Sequence, residues 1–145
     1  MQIDWYFELF KKKISDLATK QLAGIELYPK IEIEATIELT QISDDLLDFV
    51  NKLGPFGEEN PKPIFCSNNV LILDIINLGH DNKHLKLRVK DDNSRVFSAL
   101  GFGQAELFSN LKIGDNISIV YSLDINKFNG REDIQLKIID INLII

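Results

Sequence analysis

The dipeptide Asn129-Gly130 separates two long strand-like runs, 116–127 and 131–142. A two-residue hairpin turn of type I′ needs positive φ at both central positions, and Asn-Gly is the pair that meets this at least cost. The C-terminal third therefore reads as an antiparallel hairpin, and any fold for this chain must accommodate it. Upstream lie three further strand-like runs, near 70–78, 83–90 and 95–102. Between the third and fourth runs a short helix is expected over 104–111, with Leu107, Phe108 and Leu111 on one side. Five strands with one helix between the third and fourth is the element order of an OB-fold, a small Greek-key barrel that often binds oligonucleotides or oligosaccharides. A small sandwich or another barrel is the alternative.

A lead-in precedes the barrel. Asp4 caps an expected first helix in which Phe7, Phe10, Ile14 and Leu17 recur at three- and four-residue spacing. Lys11, Lys12 and Lys13 face solvent, Gly24 stops the helix and Pro29 marks a turn. Trp5 and Tyr6 are expected to pack this helix against another surface. From Ile31 to Leu39 the chain alternates, with Ile31, Ile33, Ala35, Ile37 and Leu39 on one face and Glu32, Glu34, Thr36 and Glu38 on the other. That predicts a half-buried strand with an acidic outer face. A second helix over 44–53 follows, with Ser43 as cap, Asp44 and Asp45 in its first turn, and Ile42 and Leu47 at staple positions. Gly54-Pro55 ends it, and the prolines of 54–63 predict an ordered loop rather than a floppy linker.

The expected architecture is thus α+β, mainly β. A helical arm spans 1–30, a strand-helix lead-in 31–65 and a five-stranded barrel 66–145. A length of 145 residues suits one domain with an arm, and a 45% hydrophobic content excludes a disordered chain. The single cysteine, Cys66, excludes an internal disulfide framework and a cysteine-built zinc site. No apolar run approaches the roughly 20 residues needed to span a bilayer. The opening ten residues carry Asp4 and Glu8 and do not read as a secretory signal. A cytoplasmic location without membrane attachment is expected.

The search for catalytic chemistry is negative. His80 and His84 stand four apart, but that spacing joins two imidazoles on a helix, and here it falls across a turn and a strand start. No metal ligand set is expected. Cys66 has no histidine partner and reads as a packed or half-buried thiol. Glu58-Glu59 and Asp91-Asp92 read as solvated turn residues. The chain has no P-loop, dinucleotide fingerprint or nucleophile elbow, and Gly101-Phe102-Gly103 is too little for a phosphate loop. Tyr121 and Phe102 are expected in the core.

Binding features are more informative. The chain carries a net charge of −6, which argues against indiscriminate coating of nucleic acid. Residues 83–90, however, contain Lys83, His84, Lys86, Arg88 and Lys90 and no acid. His84, Lys86, Arg88 and Lys90 alternate with Leu85, Leu87 and Val89, so a strand here presents all its basic side chains on one face. Such a face either tracks a phosphate backbone or is simply solvated. The hairpin adds Lys127, Phe128, Asn129 and Arg131, where Phe128 either stacks on a base or covers the barrel end.

These residues resemble a known family. Leu53-Gly54-Pro55-Phe56-Gly57-Glu58-Glu59-Asn60-Pro61-Lys62-Pro63-Ile64-Phe65 is similar to the segment that opens the OB region of RecJ, the single-strand-specific DNA exonucleases. His84-Leu85-Lys86-Leu87 resembles that family's second barrel strand. The segment 123–131 resembles its late hairpin, and Ile134-Gln135-Leu136 its final strand. The resemblance covers about 31–145; residues 1–28 are similar only in type. The family often has glycine where this chain has Glu59, and glutamate lacks glycine's freedom at positive φ.

The resemblance implies an OB domain that helps guide single-stranded DNA towards a nuclease site in recombination and repair. It implies Mn2+ or Mg2+ held by aspartates and histidines, including an Asp-His-His triplet, in separate catalytic domains. This chain has no Asp-His-His and only two histidines. The implied role is therefore a single-stranded-DNA-binding accessory domain of a 5′–3′ exonuclease, inactive alone, with no catalytic residue and no cofactor of its own. Lys86 and Arg88 would contact phosphates, with Lys83, His84, Lys127 and Arg131 widening the electropositive groove. Phe128 or Asn129 would touch bases or sugars, and Gly57, Asn60 and Pro61 would shape the loop against the nuclease domains. A second reading is a module that docks on the nuclease domains or a repair protein without touching DNA. The third, an independent enzyme, is opposed by the lack of any convergent titratable cluster.

Overall fold

A computed structural model describes residues 2–24 and 30–145, with side chains from residue 7 onward in the first segment. They form two units, Met1–Ile31 and Glu32–Ile145. The first holds helix α1 (Gln2–Leu22). Its start at Gln2 corrects the expectation for Asp4, which lies within the first turn instead of capping it. Gly24, at φ +86°, takes the left-handed conformation that stops a helix. Phe7, Phe10, Ile14 and Leu17 are exposed, as are Lys11, Lys12 and Lys13. The side chains of Trp5 and Tyr6, and Pro29, lie outside the described residues.

The second unit runs β1 (Ala35–Thr36), a single 3-10 turn (Leu39–Gln41), α2 (Asp44–Lys52), β2 (Phe65–Leu78), β3 (His84–Lys90), β4 (Phe97–Gly101), β5 (Asn116–Phe128) and β6 (Arg131–Leu143). The strand order is β1-β2-β3-β4-β6-β5, and a further β2–β5 pairing closes β2 to β6 into a barrel. β4 and β6 are parallel; the other barrel pairs are antiparallel. This is the OB-fold expected from the element order.

Closure depends on β2. Its first half pairs with β5 and its second half with β3. Two register shifts, between Ser67 and Val70 and between Ile72 and Asp74, bend the strand from one wall to the other. Asn69 supplies a positive φ of 56° at the first shift. Inside lie Val70, Ile72, Leu85, Leu87, Val89, Phe97, Ile117, Ile119, Tyr121 and Leu136, all essentially sealed from solvent. Tyr121 is in the core as expected. Its hydroxyl lies 2.8 Å from Ser67 Oγ, which donates to the Ile37 carbonyl at 2.7 Å. Because that carbonyl can only accept, Tyr121 is the donor to Ser67. Burial pushes the Tyr121 hydroxyl up to about 12.

The lead-in departs from expectation in one respect. Only Ala35 and Thr36 form a strand, parallel to β2 at Phe65 and Cys66. Ile31 and Ile33 are exposed, whereas Leu39 is buried in the 3-10 turn. The alternation was real, but a strand extends only as far as it has an edge to pair with. The second helix follows expectation. Ser43 Oγ accepts the Leu46 N–H at 3.2 Å, and Ile42 and Leu47 are buried at the staple positions.

Two further expectations are corrected. Residues 104–111 form successive turns, not a helix, with one bond of α-helical spacing, Phe108 N–H to the Gln104 carbonyl, and two of i to i−3 spacing, Ser109 to Glu106 and Leu111 to Phe108. Ala105, Phe108 and Leu111 face the core, while Leu107 is exposed. Asp91 is no solvated turn residue. Its carboxylate accepts the Leu39 N–H at 2.9 Å, 52 residues away, and the Asn93 and Ser94 N–H groups at 3.1 and 2.7 Å. Partial burial pushes this carboxyl up, but these hydrogen bonds and the Ser94 hydroxyl outweigh it and hold it below the usual range.

Candidate nucleic-acid interface

β3 exposes the alternation read in the sequence. Leu85, Leu87 and Val89 are buried, while His84, Lys86, Arg88 and Lys90 point outward, half-buried or exposed. Directly opposed residues of paired strands share a face, so the register names the outer neighbours. Lys86 lies between Ile76 of β2 and Leu100 of β4, and Leu100 in turn lies beside Lys137 of β6. Arg88 lies between Asp74 and Ser98, and Ser98 beside Gln135. The face is thus four strands wide and carries Lys86, Arg88, Lys90 and Lys137, with Asp74 opposite Arg88 and Asp133 lining a pocket with Ser98 and Gln135 towards the hairpin end. None of these four cations forms an ion pair among the described residues.

The two ends of the face differ. At one end His84 is fixed: its Nδ1 accepts the Gly103 N–H at 2.9 Å, and its ring meets Phe102 edge-on at 5.6 Å. Gly79 must be glycine here, at φ +93°, since a Cβ would come within 2.7 Å of the His84 ring. Phe102 is 57% exposed, which corrects its assignment to the core. It stands one residue beyond β4, past the last position that points into the barrel. Lys83, just before β3, pairs with Asp81 at 3.2 Å.

The other end carries the hairpin. Asn129 and Gly130 have φ of 49° and 75°, the double positive φ that their sequence predicted. Phe128 opposes Arg131 across the turn and is 69% exposed. Lys127 lies opposite Glu132 and pairs with it at 2.9 Å. Because β4 is antiparallel to β3 and parallel to β6, the hairpin and His84 lie at opposite ends of the β3–β4 face. The expected binding residues thus flank the basic stripe instead of clustering. In OB-folds generally, the β3–β4 face and these two flanking loops take up oligonucleotides.

Sequence reading missed Phe102 and Lys137. The signal for Phe102 was its pair of flanking glycines, which leave an aromatic ring little to bury against. Lys137 continues the outward alternation of Gln135, but only the parallel β4–β6 pairing brings it beside Leu100.

The loop after α2 is ordered. Asn60 Nδ2 donates to the Leu53 and Pro55 carbonyls at 3.0 and 2.9 Å, and the backbones of Gly57 and Asn60 bond each other in both directions. Glu59 lies exposed within it. Leu46, Phe49, Leu53, Phe56, Pro61 and Pro63 line an apolar groove beside this loop. Burial pushes the half-buried Cys66 thiol up, away from reactivity. Among the described residues no three His, Cys, Asp or Glu side chains converge to hold a metal, so the Mn2+ or Mg2+ chemistry of the resembled family does not fit here. No described helix is long and apolar enough to cross a membrane.

Known proteins agree with this geometry. Residues 33–140 match the family described as RecJ OB domain. The single-stranded-DNA-specific exonuclease RecJ of Bacillus subtilis is 28% identical over 130 residues, covering 90% of this chain and 16% of that protein. Its counterpart from Escherichia coli is 23% identical over 132 residues, covering 90% of this chain and 22% of that protein. The crystal structure of RecJ in complex with Mn2+ from Thermus thermophilus superposes with a TM-score of 0.65 at 19% identity, over 96% of this chain and 19% of that one. The chain thus spans less than a quarter of the length of these relatives. With the motif loop, the barrel order and the family match in agreement, the chain belongs to the RecJ OB domain family.

Proposed function

We propose that the barrel binds single-stranded DNA across the outer face of β3, β4 and β6. In this reading it is an accessory domain of a cytoplasmic 5′–3′ single-strand-specific exonuclease of recombination and repair, inactive by itself. The observation that carries the reading is the row of Lys86, Arg88, Lys90 and Lys137, unpaired on the face that OB-folds use for oligonucleotides. Four cations without ion partners there outnumber the two carboxylates of the face, Asp74 and Asp133, and can neutralise successive phosphates. Lys83, Lys127 and Arg131 extend the field at the two ends, His84 borders the groove at one of them while its Nδ1 accepts the Gly103 N–H, and Phe128 and Asn129 reach bases or sugars. The ordered loop of Gly57, Asn60 and Pro61 faces the catalytic domains, which hold the Mn2+ or Mg2+.

Fluorescence anisotropy with a labelled single-stranded oligonucleotide tests this. Affinity falls as salt rises, and Lys86→Ala with Arg88→Ala lowers the slope of log K against log salt by about 1.4, two contacts at about 0.7 each. Salt-independent binding, or an unchanged slope in the folded double variant, rejects the face.

A second reading draws on the apolar groove between α2 and the 54–63 loop, where Phe49 and Leu53 are exposed. In it the barrel docks on the nuclease domains or a repair protein without touching DNA. Self-association in size exclusion at rising concentration, with no DNA affinity, favours this reading over the first.

A further inference from the structure

We propose that Phe102 is a base-stacking platform, an aromatic subsite at the His84 end of the β3–β4 face. The inference rests on the reading that this face binds single-stranded DNA, and it names what the strand's bases meet there.

Three observations carry it. First, the ring is exposed although the strand it follows ends in the core, with Gly101 buried and Ala99 fully so. Second, the ring is held in place. His84 meets it edge-on, at 5.6 Å and 70°, and the Gly103 N–H bond to His84 Nδ1 ties the backbone after Phe102 to the same imidazole. Gly103 sits at φ +68°, the left-handed course on which its N–H meets His84. An ordered aromatic loses little freedom when a base settles on it. Third, Lys137 Nζ lies 5.8 Å from the ring centroid, at the outer limit of a cation–π contact. That contact is loose enough to give way to a base, leaving the ammonium beside the adjoining phosphate. An aromatic face next to a cation on a basic sheet is the pairing that single-strand binders use, because every base has a π-face and every nucleotide a phosphate.

The test compares the whole chain and its Phe102→Ala and Phe102→Trp variants on two probes of equal length. One is an ordinary single-stranded oligodeoxynucleotide, the other an abasic strand that keeps only sugar and phosphate. Phe102→Ala is expected to weaken the base-bearing probe about 5- to 150-fold, the span that one base stack represents, and to leave the abasic probe and the salt slope unchanged. Phe102→Trp restores or improves binding. Equal losses on both probes, or no loss on either, overturn the subsite while leaving the basic face intact. A wild-type chain that binds neither probe overturns both the subsite and the reading it rests on. Thermal unfolding of the variants close to that of the parent excludes a folding defect, as expected for so exposed a ring.

Discussion

The β3 stripe and the β5–β6 hairpin tip carry the same kinds of side chain, yet the barrel treats them differently. On β3 every second residue is locked into the core, so Lys86, Arg88 and Lys90 are aimed outward by their neighbours and have no ion partner. At the hairpin tip no residue from 126 to 133 is buried, and Lys127 has already found Glu132 across the turn. A cation between two core anchors has a fixed direction. One beyond the last anchor is free to satisfy itself locally. The difference teaches that the stripe is a preset surface and the hairpin an adjustable one.

That contrast can be broken by mutation. The largest effect belongs to the anchors: Leu87→Ala, at a fully buried position, should lower the unfolding free energy by about 2–5 kcal/mol in urea titration. The neighbouring Arg88→Ala should stay within about 0.5 kcal/mol of the parent. Comparable losses from the two would mean that the outer face is structural. Next is the turn. Gly130→Ala places a side chain at φ +75° and should cost about 1–2 kcal/mol in the same titration, without disturbing the salt dependence set by β3. The smallest effect is expected at the paired tip cation. Lys127→Ala removes an exposed ion pair and should change stability by less than about 1 kcal/mol. Its effect on single-strand affinity should fall below that of Lys86→Ala, and the reverse ranking would make the hairpin the main contact.

The corrected expectations share a cause. The lead-in strand, the short helix and the solvated Asp91 were read from local pattern, and each was changed by a distant neighbour or the lack of one. The lead-in alternates over nine residues, yet only Ala35 and Thr36 pair with β2 in the sheet. Asp91 binds Leu39 because β2 pairs with both β1 and β3, which brings the 3-10 turn after β1 to the end of β3. Residues 104–111 bury Ala105, Phe108 and Leu111 in successive turns, since these must bridge the end of β4 to the start of β5.

The sequence by itself determined what short-range periodicity and backbone preference can fix. It set the two faces of β3, the positive φ of Asn129-Gly130, the Ser43 cap and the scarcity of histidine and cysteine. These follow from alternation along a strand, sterics at one residue and plain composition. Only the tertiary structure decided which strands are neighbours. The parallel pairing of β4 with β6 carried Lys137 to the side of Leu100, and the end of β4 left Phe102 outside the core beside His84. No local pattern encodes such meetings, because they arise when a bent β2 pairs with β3 and β5 at once and the sheet closes on itself.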